Sequence, residues 1–303
     1  MDMSINLCGV TLKNPVIAAS GTFGYGREYA EFFPISRLGA VSCKGTTLRP
    51  REGNDPPRIY ETAAGMLNSV GLQNPGLEVF IRDHLPWMKA QGAVVVANIA
   101  GFSVAEYAEI AERLSDTAAD IIELNISCPN VAHGGAAFGT SCASAGQVTK
   151  AVRDKCTKPL MVKLSPNVTA IGDIAAATEA AGADAVSLIN TITGMRINYL
   201  TRRPMLANNV GGLSGPAVLP VAIRMVNEVW RRVSIPVVGM GGITTWSDAA
   251  EMMIAGAAAV QVGTATFADP FAMLKIIEGL EQFAVEQRLS SISELTGTLE
   301  VSD

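Results

Sequence analysis

The sequence has little that would serve a metal site, a disulfide framework or a membrane. Its five cysteines are an odd number, and no two of them have the C-x-x-C spacing that zinc and iron–sulfur sites commonly use. No apolar run reaches the roughly 18 residues that a membrane-spanning helix needs, and the opening MDMSINLCGV lacks the pattern of a signal peptide. We therefore expect a protein of the reducing cytoplasm that binds no metal.

Charged residues are also scarce. They make up 17% of the 303 residues against 49% for apolar residues, and the net charge is −5. Acidic and basic residues are interspersed, so the chain lacks the basic face by which proteins bind nucleic acid. A chain with this apolar fraction is expected to bury a large core. Part of its surface is also expected to be covered by partner chains.

Eight short apolar segments alternate with helical patterns. The predicted strands are Val16–Ala19, Ala40–Cys43, Val94–Ala97, Ile121–Leu124, Leu160–Val162, Ala185–Leu188, Val237–Val238 and Val260–Val262. Such runs are typical of parallel strands buried on both faces. Eight β–α units predict an α/β protein, a (β/α)8 TIM barrel forming a single domain over residues 1–303, with long loop insertions over the C-terminal face. The alternative is an open doubly wound sheet, whose usual G-x-G-x-x-G turn is not matched by SGTFGYG after the first strand.

Each predicted strand ends in a residue that can bond a ligand. These residues are Ser20, Lys44, Asn98, Asn125, Lys163, Asn190–Thr191, Gly241–Gly242 and Gly263–Thr264. The C-terminal ends of barrel strands carry functional residues, and although any one strand must end in something polar, eight together favour a site. The glycines after the last two strands indicate phosphate binding through backbone N–H groups and helix dipoles. They do not distinguish a cofactor phosphate from a substrate phosphate, and tight turns alone would also explain them.

Cys128 stands just beyond the fourth strand in ELNISCPNVAHGG. The other four cysteines, Cys8, Cys43, Cys142 and Cys156, are interpreted as small buried hydrophobic residues. Cys128 differs because it precedes a proline and a glycine-rich loop that can close over a ligand. A thiol there can act as a nucleophile or as a general base, and composition alone does not choose between them.

Eight segments occur together and in order along nearly the whole chain: NPVIAASGTFGYG, MLNSVGLQNPG, ELNISCPN, VKLSPNV, INTITGMR, LANNVGGLSGPA, VVGMGGI and QVGTATF. By these segments the chain resembles the class 1 dihydroorotate dehydrogenases, and most closely the NAD-linked 1B catalytic subunit. The resemblance implies an FMN-dependent oxidation of (S)-dihydroorotate to orotate in pyrimidine biosynthesis. Cys128 would then remove the C5 proton while C6 delivers hydride to flavin N5.

The resemblance also implies roles for the strand-end residues and their neighbours. Substrate contacts are expected from Lys44, Asn68, Ser69, Val70, Gly71, Leu72, Asn125, Asn130, Asn190 and Thr191. Flavin contacts are expected from Ser20, Lys44, Gly45, Asn98, Asn125, Lys163, Ile189, Gly215, Gly241, Gly242, Gly263 and Thr264. Asparagine amides pair with the edge of such a ring in both directions, and the two lysines can offset the substrate carboxylate and the charge of the reduced flavin. Gly45 and Ala132-His133 depart from what relatives often carry at these positions.

The chain lacks a site of its own for NAD, because it has neither a dinucleotide fingerprint nor cysteine spacing for a cluster. The 1B resemblance implies one FMN per catalytic chain and an electron-transfer subunit carrying FAD and a 2Fe-2S cluster. The assembly would be a heterotetramer of two catalytic and two relay subunits around a homodimer of catalytic chains. Nucleic acid and membrane are not expected partners.

Four other functions are considered. Two stay within the flavin barrels: a dihydropyrimidine dehydrogenase-like subunit, whose substrate has no carboxylate, and a class 1A-like enzyme that uses fumarate and needs no relay chain. A sugar-phosphate isomerase or lyase barrel would bind no flavin. A non-catalytic scaffold subunit is disfavoured by the intact Cys128 and the strand-end lysines.

Overall fold

Eight parallel strands close into a barrel in the structure, a computed structural model that describes residues 1–127 and 138–301. The strands are β1 Val16–Ala18, β2 Ala40–Ser42, β3 Val95–Ile99, β4 Ile121–Asn125, β5 Leu160–Lys163, β6 Ala185–Leu188, β7 Val237–Met240 and β8 Ala259–Val262. β8 returns to β1 through the parallel pair Val260 and Val16. The predicted (β/α)8 barrel is confirmed, and closure excludes the open doubly wound sheet.

Helices surround the barrel after seven of the eight strands. Their bounds are Leu77–Val79 continued by Phe80–His84 and Leu85–Ala90, then Val104–Ser115, Cys142–Arg153, Ile171–Ala180, Leu219–Trp230, Trp246–Ile254, and Ala265–Ala268 with Ala272–Glu286. The first unit differs from the expected pattern, because residues 19–39 form only the short 3-10 turns Tyr29–Glu31 and Ile35–Arg37. Aromatic side chains pack there instead, with the ring of the buried Phe23 stacked 4.2 Å from that of the half-buried Tyr29.

Side-chain caps begin the helices Val104–Ser115 and Trp246–Ile254. Ser103 Oγ accepts a hydrogen bond from the Glu106 N–H at 3.2 Å, but the Glu106 carboxylate reaches the N–H of Phe102 rather than that of Ser103. Thr245 and Asp248 form a complete capping box at the start of Trp246–Ile254. These caps satisfy N–H groups that the first turn of a helix leaves without partners.

The long connections after β2 and β6 build a second sheet. Its four antiparallel strands lie in the order Ile192–Gly194, Gly211–Ser214, Gly65–Asn68 and Ile59–Thr62. Both connections leave C-terminal strand ends, so this sheet stands on the side of the barrel where barrel enzymes carry their sites. A hairpin of Ile5–Leu7 and Val10–Leu12 precedes β1 and buries Leu7 and Leu12 completely.

The barrel strands are buried on both faces. All five residues of β3 and of β4 are buried, as the uninterrupted apolar runs predict for parallel strands. None of the described helices is both long enough and apolar enough to cross a bilayer.

Candidate active site

A chain of hydrogen bonds joins predicted site residues across the C-terminal ends of three strands. Asn190, after β6, donates through Nδ2 to Ser127 Oγ at 2.8 Å and to the Ser127 carbonyl at 3.1 Å. Ser127 Oγ lies 2.9 Å from Asn125 Oδ1 and donates to it. Asn125 Nδ2 in turn approaches Asn98 Oδ1 at 3.5 Å. The structure therefore brings Asn98, Asn125 and Asn190 together, with Ser127 as the link.

Below this chain, the carboxylate of Glu123 lies fully buried inside the barrel. Its Oε2 accepts from Ser42 Oγ at 2.7 Å and from Asn98 Nδ2 at 2.6 Å. Its Oε1 accepts from Ser187 Oγ at 2.7 Å and from Gln261 Nε2 at 2.8 Å. A single carboxylate thus ties β4 to β2, β3, β6 and β8, and both of its oxygens are satisfied as a buried charge requires.

Lys163 provides the positive charge in this region. It ends β5 opposite Asn125 in the parallel register and is 5% exposed. Burial by itself raises the pKa of Glu123, but the Lys163 charge and the hydrogen bonds from Ser42, Asn98 and Ser187 outweigh it and hold that pKa below its ordinary value. Glu123 is therefore a carboxylate at neutral pH, and an ammonium and a carboxylate share the interior below the mouth of the barrel.

The predicted substrate segment Asn68–Leu72 is held in a specific backbone path. Gly71 and Leu72 both have positive φ, at 76° and 59°. A Cβ at Gly71 would lie 2.5 Å from Cγ of Asn54, whose amide donates to the Ser69 carbonyl at 2.9 Å. Within the described residues, the buried Ser69 Oγ has no hydrogen-bond partner, and such an atom is the kind that a ligand satisfies.

The antiparallel sheet connects this segment to the end of β6. Asn68 Nδ2 lies 3.5 Å from the Gly212 carbonyl. A Cβ at Gly212 would meet Thr191 Oγ1 at 1.9 Å, so only glycine lets Thr191 approach this strand. Asn68 and Thr191, far apart in sequence, are thereby brought to the same strand.

Lys44 and Val70 line the same cavity, of about 610 Å³, together with residues of the β1 and β2 loops. Its other lining residues are Gly21, Pro56, Pro57, Arg58, Ile59 and Gln73. Ser20, directly before Gly21, is half-buried at the end of β1. The cavity therefore places Lys44, which is expected to contact both flavin and substrate, next to the expected substrate segment Asn68–Leu72.

The predicted flavin glycines after β6, β7 and β8 have different structural requirements. Gly215, Gly241 and Gly242 have φ of 101°, 121° and 82°, and a Cβ on any of them would crowd neighbouring atoms at 3.1 Å or less. Gly263 has neither constraint, since a Cβ there would meet Ala19 and Thr22 at ordinary distances of 3.4 Å. Tight turns therefore account for the first three glycines but not for Gly263, where space for a ligand remains an explanation.

Contacts between loops bring the remaining predicted flavin residues to this end. Thr264 Oγ1 donates to Ser214 Oγ at 2.9 Å, which ties the β8 loop to the residue before Gly215. Ile189 lies against Gly241, with 3.1 Å between its Cγ1 and a Cβ built there. A Cβ at Gly45 would lie 2.9 Å from Asn98 Oδ1, so the absence of a side chain leaves that amide oxygen room.

Three residues named from the sequence, Cys128, Asn130 and His133, lie outside the described residues. Ser127, the last described residue before them, is buried and hydrogen-bonded to Asn125 and Asn190. The chain is thus anchored at the mouth of the barrel immediately before the predicted base. In residues 1–127 and 138–301, no group of three or more potential metal ligands was found.

The other cysteines follow the buried interpretation only in part. Cys43 is fully buried, and burial raises its pKa to about 12, which keeps the thiol protonated. Cys156 is also buried, while Cys8 is half-buried. The interpretation was wrong for Cys142, which is exposed at the first turn of Cys142–Arg153.

Sequence reasoning missed the interior carboxylate and three of its four donors, all but Asn98. Glu123 was visible as a charged residue inside an otherwise apolar strand, which is rare unless the charge is paired. Ser42, Ser187 and Gln261 gave no comparable signal, because single polar residues near strand ends are common. Nothing in the sequence marked Ser127, which precedes Cys128, as the hydrogen-bond link between Asn125 and Asn190.

Comparisons with known proteins agree with this arrangement. The model of the dihydroorotate dehydrogenase family matches residues 2–284. A protein of Alkaliphilus oremlandii is 52% identical over 298 residues, covering 98% of this chain and 99% of the relative. Proteins of Thermoanaerobacter pseudethanolicus and Geobacter sulfurreducens are 51% identical over 301 residues and 52% over 303, covering 99% of this chain in each case and 100% and 99% of the relatives. All three are named dihydroorotate dehydrogenase B (NAD(+)), catalytic subunit.

Proposed function

Since the chain belongs to the dihydroorotate dehydrogenase family, we propose that it oxidises (S)-dihydroorotate to orotate in pyrimidine biosynthesis, as an NAD-linked catalytic subunit. The observation that carries this proposal is the hydrogen-bonded chain Asn98–Asn125–Ser127–Asn190 at the mouth of a (β/α)8 barrel. Full-length relatives carrying the B-type name support it. They do not favour a dihydropyrimidine dehydrogenase-like or fumarate-using enzyme.

The protein is a flavoprotein, and we assign FMN, one per chain, to a single barrel domain over residues 1–303. Three observations fit such a group. A side chain at position 263 would make only ordinary contacts, so packing alone does not require glycine there. Ser69 Oγ is buried without a partner among the described residues, and β5 ends in a lysine. The phosphate would be held by Gly215, Gly241, Gly242, Gly263 and Thr264, and the ring by Ser20, Lys44, Gly45, Asn98, Asn125, Lys163 and Ile189. When bound, FMN supplies the two-electron acceptor.

The residues of the chain divide the remaining work. Asparagine amides at Asn68, Asn125, Asn130 and Asn190, with Thr191 and the backbone of Ser69–Leu72, would bind the edge of the dihydroorotate ring, since amides both donate and accept. Lys44 would offset the substrate carboxylate. Cys128 would take the proton from C5, a role typically worth about 100- to 10,000-fold in rate.

Anaerobic absorbance spectroscopy tests the function directly. The purified chain should show the yellow flavin spectrum, and dihydroorotate should bleach it. Dihydrouracil is the matched control, because it has the same reduced ring without the carboxylate. A colourless protein that takes up no FMN would point to a sugar-phosphate barrel, and bleaching by dihydrouracil alone would point to a dihydropyrimidine dehydrogenase.

The relatives are named catalytic subunits, so a partner subunit exists, and we assign to it the FAD and 2Fe-2S cluster that NAD reduction needs. The heterotetramer of two catalytic and two relay subunits, built on a homodimer of catalytic chains, belongs to the same proposal. Its support in the structure is the exposure of apolar side chains, with Tyr199 83% and Leu200 78% exposed. The isolated chain should reduce an artificial acceptor but not NAD, and NAD-linked turnover without another subunit would contradict this assignment.

A further inference from the structure

Glu123 is a buried charge that the proposed reaction does not use. It lies two residues before Asn125 on β4 and is completely inaccessible to solvent. A buried carboxylate is tolerated only when it is both hydrogen-bonded and compensated. In the described part of the chain the side chains that donate to it are all uncharged, those of Ser42, Asn98, Ser187 and Gln261. The compensating charge must therefore come from a residue that it does not hydrogen-bond.

That charge belongs to Lys163. Lys163 lies beside Asn125 in the β4–β5 register, it is 5% exposed, and its charge is the largest influence that lowers the pKa of Glu123. The Glu123 charge also acts on the Cys43 thiol after β2, which stays neutral because burial, together with that charge, raises its pKa to about 12. Glu123 and Lys163 therefore compensate each other's charge.

Glu123 also decides the orientation of Asn98. A carboxylate can only accept hydrogen bonds, so the group that it holds at 2.6 Å must be the NH2 of the Asn98 amide. The Asn98 Oδ1 is then turned towards the Asn125 Nδ2 at 3.5 Å and towards the backbone of Gly45.

We propose that Glu123 is a positioning residue for the flavin, which holds the Asn98 amide in one orientation and compensates the charge of Lys163 beside the ring. This inference rests on the proposed function, because Asn98 and Lys163 matter in this way only if a flavin binds above them. Glu123 itself touches neither flavin nor substrate and acts through these two side chains.

Isosteric substitutions separate charge from shape at this position. Glu123→Gln removes the charge and keeps the volume. Its new amide hydrogens can be accepted by Gln261, whose Oε1 is buried without a partner among the described residues and which needs only to turn its amide over. Lys163→Met removes the partner charge, and the double variant Glu123→Gln/Lys163→Met removes both charges.

The affinity of the flavin-free protein for FMN, measured by quenching of FMN fluorescence, is the first readout. Each single substitution should weaken binding by about tenfold or more, because charged hydrogen-bonding groups contribute at this level. The double variant should bind FMN at least as tightly as Lys163→Met, since its buried carboxylate is no longer uncompensated. Losses that simply add in the double variant would overturn the proposal.

The reduction potential of the bound flavin is the second readout, which a purely structural role would leave unchanged. Reduction adds negative charge to the flavin, so loss of the Glu123 carboxylate in Glu123→Gln should raise the potential, and loss of the positive charge in Lys163→Met should lower it. A tenfold effect corresponds to about 30 mV for a two-electron couple. An unchanged or lowered potential in Glu123→Gln would overturn the proposal.

Ser187→Ala is the matched control. It removes one hydrogen bond to the same carboxylate but leaves the charge and the Asn98 contact in place. It should change FMN affinity by no more than about twofold. An effect as large as that of Glu123→Gln would show that the network serves packing alone and would overturn the proposal.

A pH series covers the case in which Glu123→Gln does not fold. In Lys163→Met, the uncompensated carboxylate should take up a proton as the pH falls. The ratio of the FMN affinity of this variant to that of the wild type at the same pH should therefore rise. A ratio that stays constant with pH would overturn the inference. The ratio cancels titration of the FMN phosphate. If the wild-type protein binds no FMN, the proposed function fails together with the inference, whereas additive effects on a protein that binds FMN refute the inference alone.

Discussion

At the scale of single residues, the site depends on short polar side chains whose partners restrict them to one orientation. Asn190 Oδ1 accepts from the Thr191 N–H at 2.8 Å while its Nδ2 donates to Ser127. Ser127 occupies the centre of this chain, immediately before Cys128. The predicted base therefore leaves the barrel from a point that the hydrogen bonds to Asn125 and Asn190 define.

Cys128→Ala tests the base. The variant should retain FMN but lose about 100- to 10,000-fold in the rate at which dihydroorotate bleaches the flavin, because proton removal contributes at that level. Stopped-flow absorbance under anaerobic conditions measures this rate. Cys142→Ala is the control, since Cys142 is an exposed cysteine on a helix. Near wild-type bleaching by Cys128→Ala would rule out the assignment.

Ser127→Ala tests the link between the asparagines. The alanine leaves Asn125 Oδ1 without its hydroxyl donor and Asn190 Nδ2 without one of its two acceptors. Each amide keeps a bond to the Ser127 backbone but loses the hydroxyl that links the two, and a hydrogen bond contributes about 1 kcal/mol, so the KM for dihydroorotate should rise roughly tenfold while FMN stays bound. Ser115→Ala, at the end of Val104–Ser115, should leave the KM unchanged. If Ser127→Ala also had an unchanged KM, the asparagines would not depend on this hydroxyl.

At the scale of elements, the residues next to a helix terminus are sufficient to predict where the helix begins or ends when they satisfy the backbone groups of its first or last turn. The capping box of Thr245 and Asp248 and the positive φ of 129° at Gly256 bound the helix Trp246–Ile254 on both sides. The β1–β2 connection shows the opposite case. It buries Phe23, Phe33 and Ile35 although its only regular structure is two short 3-10 turns, and no periodicity in the sequence predicts such packing.

Thr245→Ala tests the contribution of the cap. The Thr245 hydroxyl accepts from the Asp248 N–H at 3.3 Å, and loss of such a cap typically costs about 1 kcal/mol. Urea denaturation followed by circular dichroism should show a decrease of that size in the free energy of unfolding. Thr245→Ser keeps the hydroxyl and should remain within a few tenths of the wild-type value, about the effect of a neutral surface change. Equal losses in the two variants would contradict the role of the hydroxyl.

At the scale of the whole molecule, one carboxylate ties together strands that are distant in sequence. Glu123 on β4 is bonded to residues of β2, β3, β6 and β8, so its ionisation is coupled to the closure of the barrel. Removal of one member of a buried charge pair is typically strongly destabilising.

Acid denaturation tests this coupling. The folded pKa of Glu123 lies below its ordinary value of 4.5, so its stabilising contribution is complete above that pH and is lost as the pH falls through the folded value. At about pH 7, Glu123→Gln should be less stable than wild type by about 3 kcal/mol, and the difference should narrow below about pH 4.5. Denaturant titrations at both pH values measure it, and a difference independent of pH would contradict the role of the charge.

The sequence by itself determined the barrel and the residues at its mouth. Apolar runs buried on both faces announce parallel strands, and eight of them with intervening helices leave few other arrangements. The residue that ends each strand can be read directly, so Lys44, Asn98, Asn125 and Lys163 could be named before any geometry was known. Local chemistry carries this information, because burial and helix capping depend on neighbours in the chain.

Only the tertiary structure decided how those residues are oriented. The donors to Glu123 lie on four other strands, and the farthest, Gln261, is 138 positions along the chain from Glu123. The approach of Thr191 to Gly212 depends on a sheet built from two distant loops. The exposure of Cys142 likewise depends on where its helix sits. Side-chain direction and pairing across strands arise from barrel closure and register, which no local pattern encodes.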